Sequence, residues 1–295
     1  MLNILLAILS AVTIGFTSVF ATDCIKNNRF NRSIYTTGFF IGIITDFLDA
    51  LGVGSYATTT AMLKLSKKVN ISDKLLPGTL NVSHSLPIIV QAFLFLTAVE
   101  VDFKTLVYMI VASIVGSWFG AMIISKLDER KIQVMMAIAL IITAVLITLN
   151  QLGLISTGGD ALKLEGTKLT IAVIGNFILG MLMTAGIGLY APCMAMVSLL
   201  GMNPLAAFPI MMGSCAFVAP VSGVKFIKEN AYDRNISLGI ATGGVIGSYM
   251  AVKFVTNLDI YWIMWLVVLV ALFTATTMLK PSNKKELKYS IDKIA

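Results

Sequence analysis

Residues 45–60, Thr45 to Thr60, read TDFLDALGVGSYATTT. Two carboxylates, Asp46 and Asp49, stand three residues apart, and two glycines, Gly52 and Gly54, follow them. The run ahead of them, GFFIGII from Gly38 to Ile44, is apolar throughout, so charge and pliant backbone interrupt an oily stretch. Glycine inside a helix costs about 1 kcal/mol relative to alanine, so a close pair of glycines marks a break. The pattern returns at GIGLYAPCMAM, Gly186 to Met196, where Gly186 and Gly188 precede Tyr190 as Gly52 and Gly54 precede Tyr56.

Composition identifies the solvent. Hydrophobic residues make up 57% of the 295 and charged residues only 13%, about half the charge of a soluble domain. The expected fold is an all-α integral membrane protein, with the lipid bilayer as its partner. A net charge of +7 then points to cytoplasmic loops, where basic residues set orientation, and nucleic acid is excluded as a partner. Cys24, Cys193 and Cys215 show no CxxC spacing and make no disulfide framework or zinc site. Gly52-x-Gly54-x-x-Ala57 imitates a dinucleotide fingerprint but lacks the strand and soluble βαβ unit it needs. No Walker A pattern occurs, so no nucleotide and no other cofactor or metal is expected.

A span needs about 20 mostly apolar residues. Such runs lie at roughly 2–21, 77–98, 105–125, 132–150, 206–224, 236–255 and 260–279. Two further stretches, 35–63 and 169–200, are too long for one comfortable helix and too short for two, and each holds a glycine pair. If both crossed once, the 22 Lys and Arg residues would split 14 to 8 between the two sides. If each enters, breaks and returns, the split is 18 to 4. Positive charge collects inside, which favours two re-entrant hairpins, seven spans and a cytoplasmic C-terminus.

A second internal match supports a duplication. Gly116-Ser-Trp118 followed by Leu127-Asp128 repeats as Gly247-Ser-Tyr249 followed by Leu258-Asp259 at the same spacing. The chain divides into an N-terminal span and basic loop (1–33), a first repeat (34–150), a connector (151–168), a second repeat (169–280) and a basic tail (281–295). Each repeat is one broken hairpin plus three spans. Three is odd, so the halves are inverted. Inverted repeats whose broken helices meet near the midplane are a recurring plan of secondary transporters.

TDFLDALGVGSYATTT, followed by LLPGTLNVSHSLPIIVQA, resembles the sulfite exporter TauE/SafE family of membrane permeases. The likeness runs from about Tyr35 to Pro281 and is carried in the second half by GIGLYAPCMAM. Many members carry a third glycine in the motif, where this chain has Ser55 and Leu189. The resemblance implies movement of a small sulfur-containing or organic anion, such as sulfite or a sulfonate, across a prokaryotic plasma membrane.

A half-helix that starts at membrane depth presents unpaired N–H groups and the positive end of its dipole, which suits an anion. The expected substrate site is therefore Gly52, Gly54, Ser55, Tyr56 and Thr58 from one break, with Gly186, Gly188, Tyr190 and Cys193 from the other. Asn81 and Ser214, polar residues in long apolar spans, complete it. The bland alternative is that the glycines only let helices pack closely. Asp46 and Asp49 lie one helical turn apart, and charge at depth is expensive and usually functional. Both ionised, they would repel an anion, so they are expected to carry the coupling proton together with His84, the single histidine. The alternative for the aspartates is helix capping. Two rivals remain open: an anion channel built on re-entrant hairpins, and an intramembrane enzyme using Asp46 and Asp49, which no nucleophile–base set accompanies. A non-enzyme is expected, and a homo-oligomer is compatible.

Overall fold

The computed structural model describes residues 2–27, 30–50, 54–66, 68–98, 101–154, 159–186, 188–254 and scattered positions between 265 and 279. The described chain is helical: α1 (Leu2–Asn27), α2 (Arg32–Ala50), α3 (Ser55–Leu65), α4 (Leu76–Ala98), α5 (Phe103–Ile124), α6 (Glu129–Gln151), α7 (Gly166–Met183), α8 (Tyr190–Leu199), α9 (Pro204–Lys228) and α10 (Arg234–Phe254). A short 3-10 turn, Asp73–Leu75, leads into α4. Among the described residues, five helices are long and apolar enough to cross a membrane: Asn3–Asn27, Phe103–Ile124, Arg130–Gln151, Gly166–Met183 and Phe208–Lys228. The protein is an all-α, multi-pass membrane protein. The expected span at 260–279 lies largely outside the described residues, and the basic tail lies wholly outside them.

Both awkward stretches break where their glycines stand, but the arms are unequal. α2 has 19 residues and α7 has 18, or roughly 28 Å each at 1.5 Å per residue, which alone nearly spans the hydrocarbon core. Their return arms, α3 with 11 residues and α8 with 10, are half that length. Gly54 (φ 87°) and Gly186 (φ 92°) adopt the left-handed backbone that side chains avoid, and this lets the chain reverse.

Hydrogen bonds between loops show which helix ends lie together. The Asn31 N–H donates to Asn235 Oδ1, and the Asp233 N–H to Thr79 Oγ1. Arg234 pairs with Asp23, and Gln133 donates to Asp73, which also pairs with Lys64. The starts of α2, α4, α6 and α10 therefore share one end with the finishes of α1, α3 and α9. Arg130 adds the Leu279 carbonyl, at 2.9 Å, to that end. At the opposite end, Lys168 near the start of α7 donates to the Leu200 carbonyl just past α8. There the connector also ties down the start of α5 through Asp102 N–H to Leu162 O, and the start of α9 through Asn203 N–H to Ala161 O. Each broken pair thus comes back to the end it left. Lys26, Arg32, Lys64, Lys68, Lys74, Lys126, Arg130, Lys131, Lys225, Lys228 and Arg234 stand at the first end, against Lys104, Lys163, Lys168 and Lys253 at the other.

Packing is matched in the same way. α2 lies along α10 and α5 along α7, while α4 and α9 cross at the centre. Glycines set both peripheral contacts. A Cβ at Gly247 would collide with the Ile43 carbonyl of α2, and one at Gly116 with the Phe177 carbonyl of α7. Ile43 and Phe177 both stand eleven residues ahead of the second glycine of their motif, Gly54 and Gly188. The repeated Gly-Ser-aromatic signature is thus a helix-approach device, since backbones in lipid associate closely only over small residues.

Candidate functional site

α4 carries the polar core. It is enclosed by α9 and α10, and Thr79, Asn81, Ser83, His84, Ser85 and Gln91 are all fully buried along it. Asn81, His84 and Ser85 share a face at helical spacing. Buried polar groups in such a place are costly unless each finds a partner, and most do.

Asn81 is where the two breaks meet. Its Oδ1 accepts from Tyr56 Oη at 3.3 Å, in the first turn of α3, and from Ser222 Oγ at 2.7 Å on α9. Its Nδ2 donates to the Pro77 carbonyl at 2.8 Å and, at 3.4 Å each, to the carbonyls of Met183 and Thr184 where α7 ends. One carboxamide therefore links α3, α4, α7 and α9.

The two aspartates have different partners. Asp46 Oδ1 lies 2.8 Å from His84 Nδ1, and His84 Nε2 lies 3.0 Å from Thr59 Oγ1 on α3. The chain Asp46–His84–Thr59 runs from α2 through α4 to α3 with every member buried. The Tyr56 ring lies 5.6 Å from the imidazole. Asp49 instead accepts the backbone N–H of Ser55 through Oδ1, so its carboxylate caps the N-terminus of α3 across the break. Gln91 fixes the α2 backbone by donating to the Asp46 carbonyl at 3.3 Å and to Ser248 Oγ at 3.0 Å. Three buried polar atoms beside the first break, Asp46 Oδ2, Thr45 Oγ1 and Ser55 Oγ, have no hydrogen-bond partner among the described residues. Orphaned atoms of this kind call for an explanation such as a ligand, an ion or water.

The second break is differently equipped. α8 begins at Tyr190, its N-cap residue Leu189 supplies no side-chain cap, and a Cβ at Gly188 would meet nothing within 4 Å, as at Gly54. Cys193 is fully buried in α8 with a free thiol. Cys215 of α9 is likewise fully buried with a free thiol. Ser214 accepts from Asn176 Nδ2 of α7 at 2.9 Å and holds α9 to α7, apart from the Asn81 network. Thr58 is occupied with the Gly54 and Ser55 carbonyls of its own turn. Gly52 lies outside the described residues, as does the Tyr190 side chain.

The family model of the sulfite exporter TauE/SafE matches residues 1–147, which hold α1 to α5 and most of α6 and therefore Asp46, Asp49, Asn81 and His84. The protein is a TauE/SafE family permease. No curated protein and no solved structure matches the chain. TauE/SafE is a transporter family, which supports a small solute as partner and a role other than catalysis. The match ends before α7 and does not extend over the second half of this TauE/SafE chain.

Sequence reasoning did not single out Thr59, Ser222, Gln91 or Ser248 as site residues. Each is a polar side chain in an apolar helix, which is the one signal that could have found them.

Proposed function

We propose that this TauE/SafE permease is a proton-coupled secondary carrier of a small anion, sulfite, a sulfonate or a related sulfur-containing or organic anion, working by alternating access. Asn81 carries the reading: a single side chain joins both helix breaks at the crossing of α4 and α9. The matched helix pairings and the return of each broken pair to its own end support two halves in inverted orientation, the arrangement in which one half rocks against the other around a central site. The crowd of basic residues at the first end supports a cytoplasmic position for that end and for the C-terminus in a plasma membrane.

The two breaks then divide the labour. The anion is held at the uncapped start of α8, where Gly188 leaves the backbone accessible and free N–H groups and the helix dipole favour negative charge. The start of α3 is already answered by Asp49. Asp46 and His84 form the proton site, because a buried carboxylate against an imidazole can hold one proton more or less without an exposed charge. Purified protein in proteoliposomes with an imposed pH gradient tests this. Labelled sulfite should accumulate only with the gradient, be competed by thiosulfate and sulfonates, and lose its gradient dependence in Asp46→Asn. Gradient-independent, non-saturating flux would instead indicate a channel.

A further inference from the structure

A cleft of about 570 Å³ opens between the last turns of α1 and the end of α9, a few residues beyond Ser222 of the Asn81 network. Its walls include Ser18, Val19, Thr22 and Ile227, and its rim carries Lys26 and Lys228. Neither ammonium group makes a hydrogen bond or ion pair with any described residue. The one carboxylate in the cleft, Asp23, is taken by Arg234 Nε at 2.7 Å and by the Tyr232 hydroxyl, so it does not neutralise the lysines. Arg234 in turn donates to Asn230 Oδ1, which holds the floor of the cleft in place.

We propose that this cleft binds an anionic phospholipid, with the headgroup phosphate between Lys26 and Lys228 and an acyl chain along the exposed side of α1. Two observations favour a lipid over a dissolved anion. The cleft lies at the basic end of the bundle, where a membrane-crossing helix leaves the hydrocarbon. Along the rest of α1, Ile4, Ile8, Ile14 and Val19 are exposed apolar side chains. α1 is also among the least enclosed of the apolar helices, with 22% of its window buried inside the protein. Basic pockets between helices at the cytoplasmic surface are fitted to acidic headgroups, and lysines near an anionic surface contribute about 1 kcal/mol each. The bound lipid would complete the packing of α1 against α9 and α4, contacts that are sparse compared with those of the central helices.

Native mass spectrometry of the full-length protein in detergent, titrated with phosphatidylglycerol or phosphatidylcholine, tests the proposal. Phosphatidylglycerol should bind more tightly, and Lys26→Gln/Lys228→Gln should weaken it roughly 30-fold while leaving phosphatidylcholine unchanged. Lys68→Gln/Lys74→Gln removes the same charge from the same end outside the cleft and should leave phosphatidylglycerol affinity near wild type. An equal loss in both double variants would mean a diffuse surface potential and would overturn the site. Displacement of phosphatidylglycerol by millimolar inorganic phosphate would also overturn it, in favour of a soluble-anion site. The melting temperature of each variant, measured without added lipid, separates loss of the ligand from loss of the fold.

Discussion

His84 Nδ1 lies 2.8 Å from Asp46 Oδ1, and neither side chain is exposed at all. Thr59 meets the other ring nitrogen, so the imidazole is held at both ends, by α2 on one side and α3 on the other. Stripping one member from a buried pair costs roughly 3–5 kcal/mol. His84→Ala should therefore lower the melting temperature by several degrees, and adding Asp46→Asn should recover part of the loss. A double-mutant cycle by scanning fluorimetry checks this, and strictly additive losses would mean the two side chains do not act as a pair.

Asp49 should behave differently from Asp46. Its carboxylate caps α3 through the Ser55 N–H, and replacing such a cap by alanine costs about 1 kcal/mol. Asp49→Ala should destabilise by that order while transport keeps its dependence on the pH gradient. Asp46→Asn should do the reverse. Identical gradient profiles for the two variants would erase the distinction.

The glycines also separate by position. A Cβ at Gly243 would strike the Phe39 carbonyl, and α2 and α10 would have to move apart; overpacking of this kind costs about 1–3 kcal/mol. Gly188→Ala adds its methyl to open space without a positive φ, so the fold should be unchanged. Full-affinity sulfite binding by a well-folded Gly188→Ala or bulkier variant would remove α8 from the anion site and leave its glycine a role in the turn alone.

Asp102 caps α5 at the membrane surface. The backbone N–H of Thr105, at 2.9 Å, holds its carboxyl below the usual range, with the Thr105 hydroxyl adding to the effect. Because the folded state depresses this pKa, its stabilisation is present above the unfolded value near 4 and is lost as pH falls through the lower folded value. Melting curves from pH 6 to 3 should therefore show a steeper acid loss for wild type than for Asp102→Asn. Parallel curves would mean the cap contributes nothing.

Sidedness follows from the two ends of the bundle. Cys24, Cys193 and Cys215 are buried and should not label, so single cysteines can be read against the native background. Lys68→Cys and Lys163→Cys stand exposed at opposite ends and should react with an impermeant thiol reagent from opposite faces of a sealed vesicle. Labelling from one face would contradict the return of α3 and α8.

Much of this was legible in the chain before it folded. Glycine pairs at Gly52–Gly54 and Gly186–Gly188 marked the breaks because backbone freedom is a local property, and long apolar runs marked the membrane. The unequal arms were not legible: nothing around Ala50 or Met183 says that the first arm runs nearly to full span before it turns. The separate fates of Asp46 and Asp49 were equally hidden. Spacing puts both on one face, and only the fold brings His84 to one and Ser55 to the other. Asn81 looked like one polar residue among several, since its partners lie as far off in sequence as Ser222 on α9 and Thr184 beyond α7.

That carboxamide has a fixed number of valences. Its oxygen is shared by Tyr56 and Ser222 while its nitrogen is spent on Pro77 and the end of α7. Pulling α7 away leaves the nitrogen seeking another acceptor, and turning the amide to find one surrenders Tyr56 or Ser222. The two breaks are thereby joined through opposite ends of one small group. A shift at the end of α7 is felt at α3 and α9 through the donors and acceptors of a single asparagine.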